Sequence, residues 1–168
     1  MEQQRREEII ATLKTVDDPE LPSVSVFDLG MVHSVDVEQG LVTVKMIPTF
    51  IGCPALDMIK KDVKRAVEVL PWVEVCEVSF SMQELWSTAA ITEEGKTCLK
   101  KHGIAPPPEH YVVGEEWSVQ CPYCESAYTS IENIFGPTAC RSILYCRACK
   151  NPFEAMKPII AQPANDKK

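Results

Sequence analysis

Met31-Val32-His33-Ser34-Val35-Asp36-Val37-Glu38-Gln39-Gly40-Leu41-Val42-Thr43-Val44-Lys45-Met46-Ile47 is the stretch that decides the fold. Val42, Val44 and Met46 alternate with Leu41, Thr43, Lys45 and Ile47, the period-two pattern of a strand with one buried face. Met31 to Val37 has the same strand character, and Glu38-Gln39-Gly40 between the runs supplies turn residues, so the pair predicts a hairpin. Pro48 to Gly52 reads as a loop, and a helix is expected to start around Cys53-Pro54, because proline is favoured in a first turn that has no use for its N–H. Leu56, Ile59, Val63, Ala66, Val67 and Leu70 keep helical spacing up to Pro71, opposite Lys60, Lys61, Lys64 and Arg65. Trp72 to Phe80 predicts a third strand, with Val73, Val75, Cys76 and Val78 toward a core.

Upstream, Ile9, Ile10 and Leu13 stand at roughly helical spacing in a charged stretch, which predicts an amphipathic helix over 3–15. Asp17-Asp18-Pro19-Glu20-Leu21-Pro22 must end it, since the ring of Pro19 disfavours helical geometry at Asp18. Thr92 to Lys101 reads as a short helix closed by Gly103. The expected fold class is α+β, a small two-layer domain over 1–104. Ala105-Pro106-Pro107-Pro108-Glu109 marks a stiff, extended linker, assigned to 105–114. Five of the eight cysteines fall between positions 121 and 149, so residues 115–160 read as a separate Cys-rich module, with 161–168 as a disordered tail. No internal repeat or low-complexity tract is present.

The 168 residues carry 17 Lys plus Arg against 24 Asp plus Glu, a net charge of -7. Residues 1–104 hold 11 basic and 17 acidic side chains, and residues 105–168 hold 6 and 7. Neither part has the clustered cations that phosphate neutralisation needs, so no nucleic-acid partner is expected and a zinc-ribbon nucleic-acid adaptor is disfavoured. No apolar run approaches the roughly 20 residues that span a bilayer, and Met1-Glu2-Gln3-Gln4-Arg5-Arg6-Glu7-Glu8 lacks the apolar stretch of a signal peptide. The expectation is a cytoplasmic chain without a membrane partner, whose cysteines are thiols and metal ligands rather than disulfides.

Cys121-Pro122-Tyr123-Cys124 and Cys146-Arg147-Ala148-Cys149 are two CxxC pairs separated by 21 residues. A two-residue spacer lets both sulfurs of a tight turn reach one ion, and two such turns complete a tetrahedral thiolate site. The separation slightly exceeds the usual window of about 15–20 residues, which a longer hairpin accommodates. Two pairs outweigh the redox-dithiol reading that a single pair would leave. Zn2+ as a structural ion is favoured over iron, which can occupy the same four thiolates. Cys140, in Thr138-Ala139-Cys140-Arg141-Ser142, reads either as a packed small residue or as an additional reactive thiol or ligand with a cation alongside.

Cys53 lies in Pro48-Thr49-Phe50-Ile51-Gly52-Cys53-Pro54-Ala55. A thiol in the first turn of a helix meets the positive end of the macrodipole, which favours thiolate, and Gly52 would let another group approach closely. The alternative is a buried cysteine at a helix end. Asp17, Asp18, Glu20 and Asp28 form an acidic stretch that is either a solvated turn or a source of oxygen ligands. Cys76 and Cys98 have no partner spacing and read as core residues. His33, His102 and His110 have no companion signature of a cysteine protease. No P-loop, GxGxxG or GxSxG segment occurs.

Asp17-Asp18-Pro19-Glu20-Leu21-Pro22, Val26-Phe27-Asp28-Leu29-Gly30-Met31-Val32 and Thr49-Phe50-Ile51-Gly52-Cys53-Pro54 resemble the signature segments of the SufT-like iron–sulfur assembly domains. Trp86, Gly103-Ile104-Ala105-Pro106-Pro107 and the cysteine tail narrow the resemblance to the PaaD family of phenylacetate-degradation proteins. The resemblance covers about residue 10 to Lys157. It implies an iron–sulfur-assembly-type domain with a C-terminal zinc ribbon, and Cys53, Asp17 or Asp18, and Glu20 as the residues that handle metal. Thr138, Cys140 and Arg141 match the family's Thr-x-Cys-basic segment. It further implies a maturation factor for the phenylacetyl-CoA ring-epoxidising monooxygenase, making transient contact with iron or an iron–sulfur cluster. Its partners would be the oxygenase and reductase components or their apo forms, with self-association left open. The rival is a subunit that stays in the epoxidase. Against direct catalysis, the chain lacks flavin and nicotinamide motifs and the paired Glu-x-x-His segments of di-iron oxygenases.

Overall fold

The structure, a computed structural model, describes residues 1–159, and the expected tail over 161–168 lies outside them. The chain forms two compact units, Met1–Glu84 and Leu85–Lys168. The division falls after Glu84.

In the first unit α1 (Glu2–Leu13) is followed by β1 (Asp17–Asp18), β2 (Leu21–Ser25), β3 (Val32–Glu38), β4 (Leu41–Met46), α2 (Leu56–Glu68) and β5 (Val75–Phe80). β3 and β4 are the expected antiparallel hairpin, closing with Glu38 opposite Leu41. Gln39 and Gly40 both have positive φ, at 44° and 94°, the two-residue turn whose twist matches that of the strands. β5 joins β4 in parallel, with Val42 opposite Cys76 and Val44 opposite Val78, because α2 carries the chain back across the sheet. Val35, Val42, Val44, Met46, Cys76 and Val78 are buried, as are Ile9 and Leu13 of α1 and Ile59, Val63 and Val67 of α2. The two helices therefore cover one sheet face in a two-layer α+β arrangement. Val75 is exposed, opposite to expectation, because strand alternation turns it away when Cys76 and Val78 face inward. Trp72 Nε1 donates to Glu8 Oε2 at 2.6 Å and Arg5 stacks over the same ring, tying the start of the chain to the segment after α2.

The acidic stretch, read either as a solvated turn or as a source of oxygen ligands, begins in a small antiparallel ladder: β1 pairs with β2, Asp17 opposite Ser25 and Asp18 opposite Leu21. Ser25 Oγ bonds Asp28 Oδ2 at 2.7 Å and accepts from the Asp28 N–H at 3.0 Å, which shapes the turn leading into β3.

The second unit holds a 3-10 turn (Thr88–Ala90), α3 (Glu93–Lys101), β6 (Ile104–Ala105), β7 (Thr129–Asn133), β8 (Arg141–Cys146) and β9 (Pro152–Met156). Thr92 caps α3 by accepting from the Gly95 N–H at 3.0 Å. Gly103 follows the helix at φ 73°, a left-handed conformation that favours glycine. The four strands run β6-β9-β8-β7. β6 lies parallel to β9, with Ile104 opposite Glu154 and Ala105 opposite Ala155. Among the described residues, no helix is long and apolar enough to cross a membrane.

Candidate metal centre and thiol site

The two CxxC turns of the second unit fold alike. Glu125 N–H donates to Cys121 O at 2.8 Å, and Lys150 N–H to Cys146 O at 2.9 Å. Cys121 N–H donates to Ser126 O at 3.0 Å, and Cys146 N–H to Asn151 O at 2.9 Å. Glu125 and Lys150, each four residues after the first cysteine of its pair, hold the left-handed conformation at φ 60° and 61°, which side-chain-bearing residues adopt at a cost. The two turns are thus one local structure used twice.

They bring the sulfurs of Cys121, Cys124, Cys146 and Cys149 within 4.8 Å of one another. Cys121 and Cys149 are 3.7 Å apart, Cys124 and Cys146 3.6 Å. A tetrahedral ion with metal–sulfur bonds of about 2.3 Å needs sulfur separations of roughly 3.8 Å, so the donor set fits a four-coordinate thiolate metal. Burial pushes the Cys121 thiol up, against backbone N–H groups of Cys124 and Tyr123 that favour its thiolate. Asn151 donates to Cys149 Sγ at 3.5 Å, and this amide holds the Cys149 thiol below its ordinary value. Such outer contacts stabilise the charge that four thiolates place around one ion. No sequence signal singles out Asn151, Glu125 or Lys150. Their roles follow from where the turns send the backbone after each second cysteine.

Cys140 is not in this group. It is buried, its Sγ lies 3.2 Å from Thr138 Oγ1, and its carbonyl accepts from the Lys157 N–H. The Arg141 guanidinium reaches Thr138 Oγ1 at 2.9 Å and Glu154 Oε2. The Thr138–Arg141 segment is therefore knit into the sheet around β8 and β9.

In the first unit the structure brings Cys53, Glu20 and Asp18 into one corner. Asp18, 5% exposed, accepts from the Glu20 N–H on Oδ1 at 2.7 Å, a side-chain turn around Pro19. That turn aims Glu20 so that its Oε2 stands 3.6 Å from Cys53 Sγ, across 33 positions of sequence. Asp17 is exposed and pairs through its backbone with Ser25. On the other side, Cys53 N–H donates to Phe50 O at 3.3 Å, closing a tight turn with Gly52 at φ 94°.

Of the two readings of Cys53, the geometry lies nearer the half-buried cysteine outside the helix field. Ala55 caps α2, which begins at Leu56, so Cys53 stands before the cap rather than in the first turn. The helix field falls off within that turn. Burial, then the charge of Glu20 and its hydrogen bond, push the Cys53 thiol up, opposed by the N–H of Ala55. Both the burial and the neighbouring carboxylate favour the protonated thiol. Gly52 has no atom within 4 Å of where a Cβ would sit, so its φ rather than crowding requires glycine. Cys76 is fully buried and pushed up to about 11, first by burial and then by Glu68.

Among the described residues, the four cysteines of the ribbon are the one group of three or more ligands close enough to hold an ion together. The Cys53 corner offers a sulfur and a carboxylate oxygen in contact, which is an open donor set. A two-layer α+β domain with such a corner, followed by a ribbon that closes four thiols on one point, defines an iron–sulfur-assembly-type protein with a zinc-ribbon domain. Residues 6–80 match the family described as iron–sulfur cluster assembly protein, and residues 105–157 match the PaaD zinc beta ribbon domain. The chain belongs to the PaaD family. It is 33% identical over 154 residues to a protein of Escherichia coli (strain K12) named as a 1,2-phenylacetyl-CoA epoxidase subunit, covering 90% of this chain and 92% of that protein. The Fe–S protein maturation auxiliary factor of Porphyromonas gingivalis is 40% identical over 92 residues, 54% of this chain and 87% of its own length. A crystal structure of a domain of unknown function, DUF59, from Bacillus anthracis superposes with a TM-score of 0.54 at 31% identity, covering 58% of this chain and 92% of that one.

Proposed function

We propose that this chain is a non-catalytic maturation factor that passes iron, or an iron–sulfur unit, to the phenylacetyl-CoA ring-epoxidising monooxygenase through Cys53. The observation that carries this reading is the open donor pair, Cys53 Sγ and Glu20 Oε2 at 3.6 Å. Closed four-ligand sets retain a metal, whereas open ones leave positions for exchange. When iron binds, an iron–sulfur bond forms at Cys53 and the thiol proton leaves to Glu20 or to water. When a cysteine of the receiving protein displaces Cys53, its sulfur bonds the iron as the iron–Cys53 bond breaks, and the proton it gives up passes, directly or through Glu20, to the Cys53 sulfur. No electron changes hands. Asp18 acts by holding Glu20 in place. The four-cysteine site carries a structural Zn2+ whose part is to fix the ribbon, and iron in its place is the outcome that metal analysis would separate. The relatives named as Fe–S maturation auxiliary factors and as an epoxidase subunit support the client class. The test is deletion of the gene from a reconstituted pathway. Oxygenase and reductase components with depleted iron are expected, and normal iron content in both would sink the reading.

The name of the Escherichia coli relative favours a second reading, a subunit that remains in the epoxidase. Oxygenase and reductase already loaded with their metals separate the two. Full ring oxidation without this chain removes the subunit reading, and dependence on it removes the maturation reading.

A further inference from the structure

The turn that presents Cys53 also exposes two large apolar side chains. Phe50 is 44% exposed and Ile51 59%, and the Cys53 N–H to Phe50 carbonyl bond places Ile51 at the apex. Gly52 beside it meets nothing beyond its chain neighbours within 4 Å of where a Cβ would lie, so the turn itself is uncrowded next to the half-buried Cys53. Across the sulfur stands the Glu20 carboxylate at 3.6 Å, on the β1–β2 corner that also carries the exposed Asp17 and the buried Asp18.

We infer that the Phe50-Ile51 apex is the client-docking element of this site, seating in an apolar pocket with a cationic rim next to the metal-binding cysteines of the receiving protein. The inference rests on the transfer role proposed above and names what that site recognises. The open donor set supplies the argument for what covers the apex: the corner shows a sulfur and a carboxylate oxygen in contact, and exchange brings the receiving protein's ligands to the same metal. That protein therefore lies against this face within a bond length or two of Cys53, where Phe50 and Ile51 are the large apolar groups on the turn. Burying such side chains at an interface centre supplies the anchoring that rim contacts do not. A second copy of the chain is the disfavoured occupant. A two-fold contact here would set the partly exposed Glu20 and the exposed Asp17 against their own counterparts in a chain of net charge -7. A cationic rim on a different protein answers the same charges favourably.

The test measures binding of the full chain to the iron-stripped reductase component of the epoxidase by calorimetry. The Phe50→Ser, Ile51→Ser double variant should weaken binding by roughly a hundredfold, and each single change by about tenfold, with an unchanged melting curve and unchanged pH dependence of Cys53 alkylation. Wild-type affinity should fall as salt is raised. Cys53→Ala should bind the reductase normally yet fail to deliver iron. If the double variant binds and delivers iron like wild type while Cys53→Ala fails to deliver, the docking inference is overturned and the transfer role stands. If Cys53→Ala delivers iron normally, the transfer role itself falls. If the wild type sediments as a dimer and the double variant as a monomer, the apex belongs to a second copy and the inference is overturned.

Discussion

Removing the metal should unfold the ribbon and spare the first unit. The buried cluster of the ribbon consists of Ala105, Val119, Cys121, Leu144, Cys146, Phe153 and Ala155, so two of its members are ligands. Val119, Leu144 and Phe153 are its three large side chains, and at about 1.5–3 kcal/mol each they contribute roughly 5–9 kcal/mol. A four-thiolate metal contributes on the order of 10–16 kcal/mol, more than that core. Cys121→Ser removes a ligand and puts a hydroxyl at a position only 1% exposed. The expected result is loss of the order in Arg141–Cys146 and Pro152–Met156, with Leu41–Met46 and Leu56–Glu68 unchanged, because they lie in the other compact unit. Hydrogen exchange read by mass spectrometry, with and without chelator, follows both segments at once. Retained protection of Arg141–Cys146 in metal-free protein would refute the reasoning.

Acid should also expel the ion: burial holds the Cys121 proton on more tightly than usual, so metal retention, followed by a zinc-sensitive dye, should fall as pH is lowered and recover as it is raised. Because the Cys53 thiol is raised by burial and by Glu20, its alkylation at pH 7 should be slower than that of free cysteine and should speed up as pH rises. Glu20→Gln should accelerate it, with burial still holding it short of free cysteine, and an unchanged rate would show that the carboxylate does not act on the sulfur. Asp18→Ala removes the acceptor of the Glu20 N–H and should destabilise the first unit by about 1–3 kcal/mol; Asp18→Asn, which keeps an oxygen, should lose less in the same denaturant titration. Lys150→Gly relieves a side chain from φ 61° and should raise the stability of the metal-loaded ribbon by up to about 1 kcal/mol.

The parts of the fold that declare themselves locally are legible in the sequence. Alternation in Leu41–Met46, the Gln39-Gly40 turn and the spacing of Ile59, Val63 and Val67 each need only their neighbours to be read. The paired CxxC spacing is legible for the same reason, since both halves of the ligand set are short-range features. The Cys53 corner is not. Glu20 and Cys53 meet through a ladder, a hairpin and a tight turn, and nothing in their spacing of 33 reveals it; the family resemblance alone links them. The protonation state of Cys53 is illegible because Pro54 suggests an earlier helix start than Leu56, and a few residues suffice to take a thiol out of the helix field and leave it beside a carboxylate. The pairing of Ile104 and Ala105 with β9, just before the prolines at 106–108, is hidden because it is a long-range contact that composition does not signal.

The most direct test of the central claim is the iron content of the oxygenase and reductase components purified from cells whose only copy of this chain carries Cys53→Ala, beside cells carrying Cys76→Ala. Iron-poor components with Cys53→Ala and normal loading with Cys76→Ala are the predicted result. Fully loaded components from the Cys53→Ala cells would contradict it.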